Sequence, residues 1–424
     1  MRFITYSRLS LFAILALLFS ACGDDNPDAP ITEKIKLAVQ ANAPEEGDKV
    51  ADYSAFEVSV SSERDGSKQT GKLSKEGSAE FSLDKGSYSI EISGNVDGKD
   101  YSGTTGITQY SKDETIKIDV KHIVKQYSGS MDGIVLKEVF YNGGTYAGRM
   151  QHPDQYVVIA NNSDKEIYVD GLVIAQSSRM NSLPCETLTA LLPDYVAVAN
   201  MYQIPGDGKT YGLKPGEVYV IASSALNHAE LYQKNPEKDT GIPADLSGAD
   251  FELADEDARM DGKVTDNPEV PNLIKISNNL PKGVTGWMHP YGIRPVFIFD
   301  GSGIDWDQFK KENEVTYKEK ANINSEIAEY HGYKIPTKLI VDGIETKSIT
   351  TPYWGNFVSK SLPETVDKGY IEATIGPSCH VNSYLFRLTG SDGKLLDTND
   401  SSKDAKVEHR ADFKGFPKGW RNNK

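Results

Sequence analysis

The chain of 424 residues carries 46 lysines and arginines against 61 aspartates and glutamates, a formal net charge of −15. Binding a polyanion requires a concentrated basic surface that releases counterions from phosphates. The basic runs at 117–125 and 414–424 read as solvated faces, so nucleic acid is excluded as a partner. Three cysteines are too few for a disulfide-stapled scaffold, and the length is enough for two domains.

Residues 1–21 read as a targeting segment. Arg2 and Arg8 form a positive front, residues 9–19 an apolar core too short for a stable membrane span, and Ser20 and Ala21 are small residues before Cys22. This resembles a bacterial lipoprotein signal, which implies that Cys22 becomes the lipidated N-terminus; Phe19 stands where that signal usually has Leu or Val. The stretch 22–30 is an acidic, proline-bearing tether with nothing to bury. Its Asp24-Asp25 pair resembles the signal that sends Bacteroidetes lipoproteins to the cell exterior, with Gly23 in place of the usual lysine or serine. The implied localisation is a lipid anchor in the outer membrane, facing outward.

Residues 31–124 predict a small β-sandwich. Ile35-Lys-Leu-Ala-Val, Phe56-Glu-Val-Ser-Val, Ala79-Glu-Phe-Ser-Leu, Tyr88-Ser-Ile-Glu-Ile and Thr115-Ile-Lys-Ile-Asp-Val alternate apolar with polar side chains, one face for a core and one for water. Asp65-Gly, Asp84-Lys-Gly and Asp97-Gly mark the turns. The segment Gly77-Ser-Ala-Glu-Phe-Ser-Leu-Asp-Lys-Gly-Ser-Tyr resembles carboxypeptidase-regulatory or prealbumin-like modules, which implies a spacing or binding role. A Gly and Ser connector, 125–132, follows.

Residues 133–424 predict a second sandwich with long insertions. Gly133-Ile-Val-Leu-Lys-Glu-Val-Phe-Tyr, Gln155-Tyr-Val-Val-Ile-Ala, Val169-Asp-Gly-Leu-Val-Ile-Ala and Leu213-Lys-Pro-Gly-Glu-Val-Tyr-Val-Ile-Ala are short strands closed by Asn, Asp, Gly or Pro. Their order resembles the lamin-tail domain, an immunoglobulin-like sandwich, although Val158-Ile159 stands where that family usually has Glu-Leu. Short helices are expected near 188–193, 227–235 and 306–313, the last capped by Asp305. The fold class is thus all-β, two sandwiches, the second carrying long loop insertions and a few short helices.

Three downstream blocks, Ala244-Asp-Leu-Ser-Gly-Ala-Asp-Phe-Glu, Asp266-Asn-Pro-Glu-Val-Pro-Asn-Leu and Leu396-Asp-Thr-Asn-Asp-Ser-Ser-Lys-Asp, resemble a family of Bacteroidetes lipoproteins of unknown function. Its members often accompany TonB-dependent outer-membrane receptors. The resemblance implies nutrient capture, of iron, haem or another nutrient, beside such a receptor.

The motifs of common catalysts are missing. There is no His-Glu-x-x-His, no Gly-x-Ser-x-Gly and no phosphate loop ending in Gly-Lys-Ser or Gly-Lys-Thr. The seven histidines are scattered. The candidate cation site is Asp300-Gly-Ser-Gly-Ile-Asp-Trp-Asp, where Asp300, Asp305 and Asp307 would offer oxygens to calcium; it lacks the closing glutamate of an EF-hand, an Asp-Gly turn capped into a helix by Asp305 is the more common origin of such residues, and otherwise no cofactor is expected. Aromatics beside amides and carboxylates suit sugars or planar ligands. Trp287, His289 and Tyr291 in one stretch, and Tyr353, Trp354 and Asn356 in another, are the candidate ligand-binding residues, with core packing as the alternative for Trp287 and Trp354. Met288 and His289 also carry donor atoms that haem iron accepts. In an oxidising compartment Cys185 and Cys379 would pair or remain two buried thiols.

The function expected is a non-catalytic surface lipoprotein for ligand capture or partner docking. An adhesin or structural module, and a hydrolase with carboxylates assembled by the insertions, are the alternatives.

Overall fold

The computed structural model describes residues 34–42, 50–62, 64–96, 99–122, 127–146, 150–234, 241–253, 265–278, 287–347, 355–373, 382–390, 393–409 and 414–423. The expected signal, Cys22 and tether, together with Tyr353, Trp354 and Cys379, lie outside the described residues. The fold is all-β, and the chain divides into two compact units at Ile123/Val124.

In the first unit, β1 (Lys34–Asn42), β2 (Glu57–Ser62), β3 (Lys68–Lys72), β4 (Ser78–Asp84), β5 (Gly86–Val96), β6 (Lys99–Tyr110), β7 (Glu114–Asp119) and β8 (Lys121–His122) form two sheets, ordered β4-β1-β7 and β3-β2-β5-β6-β8. Alternation sets the faces: Ile35, Leu37, Val39 and Ala41 of β1 point inward. They meet Val58 and Val60 of β2 and Ile90 and Ile92 of β5 in one core.

The second unit is built on two large sheets, with three two-stranded sheets beside them among the described residues. Its longer strands are β9 (Ile134–Asn142), β10 (Tyr156–Asn161), β11 (Leu172–Ser177), β12 (Tyr195–Gln203), β13 (Val218–Ala222), β14 (Phe251–Glu252), β15 (Ile274–Ser277), β16 (Val296–Asp300), β17 (Glu314–Lys320), β18 (Ile327–Pro336), β19 (Ile340–Ile344), β20 (Ser383–Arg387) and β21 (Ala405–His409). One sheet runs β14-β13-β10-β9-β20-β21; the other runs β17-β18-β12-β11-β16-β19, with β15 paired to β12. Between them pack Leu136, Val157, Ile159 and Leu385 from the first and Leu172, Ile174, Tyr202 and Ile298 from the second. The buried Arg387 guanidinium joins the sheets, bonding Leu136 O at 3.0 Å and Asp342 Oδ2 at 2.6 Å.

Strands β10 and β11 depart from simple alternation, because every one of their residues is buried. At these two strands both outer faces of the sandwich are therefore covered, and the insertions supply the cover. On the β10 sheet, Val158, Val220 and Ala222 lie under Leu246, Ala249, Val270, Phe416 and Trp420. On the β11 sheet, Val173, Phe297 and Phe299 lie under Leu362, Val366, Trp306 and Phe309. The run at 414–424, expected to be a solvated face, instead returns to the sheet through its two aromatics, Phe416 packing edge-on to Tyr156 at 5.2 Å.

The helices α1 (Glu186–Thr189), α2 (His228–Lys234), α3 (Trp306–Asn313) and α4 (Ser401–Asp404) are short. Asp305 Oδ1 accepts from the Asp307 and Gln308 amides, both at 3.1 Å, and so starts α3 as a side-chain cap does.

The covered outer face has a direct test. Val158 is 2% exposed although it lies on the outward side of β10. Val158→Lys is expected to destabilise the protein by about 4 kcal/mol or more in urea unfolding, because it strands an unpaired charge. A solvated outer face would tolerate it within about 0.5 kcal/mol.

Candidate functional site

Antiparallel register brings four strand ends to one rim of the second unit. Leu172 at the start of β11 pairs with Asp300 at the end of β16, Val173 with Gln203 at the end of β12, and Gln203 with Ile274 at the start of β15. The connecting segments frame an open cleft of about 390 Å³, within the range of roughly 300–1,000 Å³ for small-molecule sites. Among the described residues lining it are Asp170, Gln203, Pro205, Asp207, Ile274, Ser302, Ile304 and Trp306.

Gln203 ties the rim together. Its Nε2 donates to Gly171 O at 3.2 Å and to Gly301 O at 3.1 Å, and its Oε1 accepts from Trp306 Nε1 at 3.1 Å. The Trp306 ring is also held edge-to-face against Phe299 and Phe309, at 6.3 and 5.5 Å between centroids. The indole is thus fixed by the protein's own packing.

Asp170 organises the facing loop. Its carboxylate accepts from the amides of Gly208 at 3.3 Å, Thr210 at 2.9 Å and Tyr211 at 2.9 Å. Burial pushes this acid upward, but the Tyr211, Thr210 and Gly208 bonds outweigh it and hold the carboxyl below its ordinary value. Gly206 lets the loop come this close: at φ +122° a Cβ there would lie 1.9 Å from Asp170 Oδ1. Part of the remaining lining is open to solvent, whereas Ile204 and Gly301 are buried. Ile274 is 47% exposed, and Asp207 and Ser302 are exposed beside it. Asp170 and Asp207 are the charged lining residues; no Lys, Arg or His is among the described residues lining the cleft.

The residues expected from sequence sit elsewhere. Trp287 is 1% exposed and belongs to the inter-sheet core, edge-on to Tyr202 at 6.0 Å. Its carbonyl accepts from Asn200 Nδ2 at 3.1 Å, and Met288 exchanges bonds with Gln155 at 2.7 and 3.1 Å. This stretch is thereby fastened to both sheets. His289 is half-buried beside Tyr291. Burial, then the charges of Arg294 and His152, holds its imidazole well below the ordinary histidine range. Tyr291 packs against Met180, Leu183 and Ile293. Trp287 and Met288 are thus core residues, whereas His289 and Tyr291 are partly exposed and Asn356 is exposed on another segment.

The calcium reading is likewise corrected. Asp300 Oδ1 accepts from the Ser302 amide at 2.9 Å and its Oδ2 from Tyr127 OH at 2.8 Å, while Asp305 caps α3. These carboxylates serve a turn and a helix start. Among the described residues no group of three or more His, Cys, Asp or Glu could hold a metal. Cys185 is a buried free thiol donating to Lys318 O at 3.8 Å, so it does not form the bridge considered with Cys379.

Sequence reasoning had not connected the cleft residues, since they come from four segments between 170 and 306. It also missed a set of buried carboxyls. Burial raises Asp250, Glu252, Glu319 and Asp404 above their ordinary values. It pushes Asp342 and Asp367 to about 6 and Glu345 to about 7. None of these residues lines the cleft.

Glu345 is fully buried and accepts from the Leu362 amide at 2.7 Å, the Ser361 amide at 2.8 Å and Asn181 Nδ2 at 3.2 Å. Its folded-state pKa exceeds the unfolded value of 4.5. The stability it contributes is therefore whole below that pH and lost as pH rises through about 7. Acidifying from pH 8 to 4.5 should favour the wild type over Glu345→Gln by about 3 kcal/mol, measured by chemical unfolding at each pH. A difference constant with pH would contradict this.

Residues 214–411 match the model of a family described as a protein of unknown function, DUF4876. A crystal structure of a DUF4876 family protein from Bacteroides thetaiotaomicron is similar, with a TM-score of 0.50 and 19% identity over 91% of this chain and 99% of that one. A DUF3823 family protein from Parabacteroides merdae aligns over 35% of this chain and 67% of its own, with a TM-score of 0.17 and 9% identity. No curated protein matches. The chain is thus similar in sequence to a family of unknown function over residues 214–411 and similar in fold to a Bacteroides member over most of its length.

Proposed function

We propose that this chain is a non-catalytic binding protein, tethered by lipid at Cys22 to the outer face of the outer membrane, which takes its ligand in the rim cleft of the second unit. The observation that carries this reading is the cleft itself. Four strand ends meet there, and Gln203 and Asp170 fix its walls while Ile274, Asp207 and Ser302 remain open to solvent. A preorganised concave surface with mixed polar and apolar lining is what small-ligand recognition needs.

The chemistry of the lining supports binding over hydrolysis. Glycoside hydrolysis needs two carboxyls flanking the scissile bond, one held protonated near neutral pH. Here Asp170 is locked in its ionised form by backbone amides, and the acids that burial raises lie outside the lining. The tether supports surface display through the apolar run 9–19, Ser20-Ala21-Cys22 and the acidic pair that follows. Docking on a TonB-dependent receptor rests on the resemblance of the blocks beginning at Ala244, Asp266 and Leu396.

Cells expressing the chain should incorporate labelled palmitate into it and lose it when protease is added outside. Cys22→Ser should abolish both the label and the membrane fractionation. A soluble, unlabelled wild-type product would contradict the tether, and turnover of a glycan by the purified protein would contradict the non-catalytic reading.

A further inference from the structure

Resting on the rim cleft as the binding site, we infer that its ligand is a neutral carbohydrate, one sugar ring of which stacks on Trp306. A pyranose has two chemistries: a face of C–H groups that packs on an aromatic ring, and a periphery of hydroxyls that pair with carboxylates, hydroxyls and peptide groups. The cleft lining offers both. Trp306 and Ile304 form the apolar side with exposed Ile274 at its mouth, and Asp207 and Ser302 stand on glycine-rich segments whose backbone is open to approach.

The charge of the lining decides against anionic ligands. Haem presents two propionates, and ferric chelates are commonly anionic, so either would need a cation to pair with. The lining has Asp170 and Asp207 and, among the described residues, no Lys, Arg or His. A neutral polyhydroxyl ligand meets no such penalty, and an exposed carboxylate is a strong acceptor for its hydroxyls. Asp207 Oδ1 already receives Thr210 Oγ1 at 3.0 Å and the Lys209 amide at 3.4 Å, which holds the side chain in place.

Rigidity favours the same site. Trp306 is pinned through Nε1 by Gln203, so stacking a ring on it does not require the indole to be ordered first. The bond from Trp306 Nε1 to Gln203 also means that the indole acts through its ring face and not as a donor to the ligand.

The test uses the mature lipoprotein in detergent, titrated with maltohexaose, xylohexaose, mannohexaose, chitotetraose, haem and ferric citrate while tryptophan fluorescence and melting temperature are followed. At least one neutral oligosaccharide should bind. Trp306→Ala should weaken it about tenfold or more, Trp306→Phe should keep it within about threefold, and Ile274→Arg, a change at an exposed position, should weaken it without lowering the melting temperature. Oligosaccharide binding that ignores both Trp306→Ala and Ile274→Arg overturns the inference. Haem or ferric citrate binding in a Trp306-dependent manner overturns the carbohydrate assignment but leaves the cleft as the ligand site. No Trp306-dependent binding of any probe overturns both.

Discussion

Strands that bury every side chain cannot leave either face of their sheet to water, and that constraint governs the second unit. In β10 and β11, Tyr156 to Asn161 and Leu172 to Ser177 are inaccessible throughout. An antiparallel sandwich commonly solvates its outer faces, but here each sheet needs a second apolar layer. The insertions provide those layers, with Leu246, Phe416 and Trp420 on one side and Trp306, Phe309, Leu362 and Val366 on the other. Much of the sequence between the strands is therefore structural cover rather than loose decoration.

The same economy shapes the rim. Trp306 serves as outer cover for Phe299 and as a wall of the cleft, since α3 begins at the point where β16 leaves the sheet. Gln203 closes the end of β12 by satisfying two carbonyls of neighbouring turns and the indole N–H together. Losing it would leave the indole N–H without this acceptor, while the two carbonyls would keep the Gly301 and Ile304 amides that also donate to them, at 3.1 and 3.3 Å. Rigid walls follow from the packing beneath them, while Asp207, Ile274 and Ser302 stay exposed.

Much of the strand pattern was legible in the sequence, because Val, Ile and Tyr runs bounded by Asn, Asp, Gly and Pro report local preference. The alternation of β1 names its inward face, and Asp305 marks the start of α3 through a cap that local chemistry dictates. The site was not legible, for a physical reason. An aromatic beside amides looks alike whether it faces solvent or core, so ligand binding and core packing both stay open for Trp287 in the sequence; the bonds from Asn200 and Gln155 that hold its stretch between the sheets come from distant positions. Asp300 reads as a cation ligand or as a turn former from the same neighbours, and only Tyr127 and Ser302 decide for the turn. The cleft depends on strand register, which joins Asp170, Gln203, Ile274 and Ser302 although no local motif links them.

The most direct measurement of the central claim, that ligand enters the rim cleft, is hydrogen exchange followed by mass spectrometry on the mature protein with and without a bound oligosaccharide. The account predicts slowed exchange confined to peptides spanning 203–211, 274–277 and 301–306, with the strands of the inter-sheet core unchanged. Protection centred on 287–291 or 355–372, with the rim segments unaffected, would contradict it.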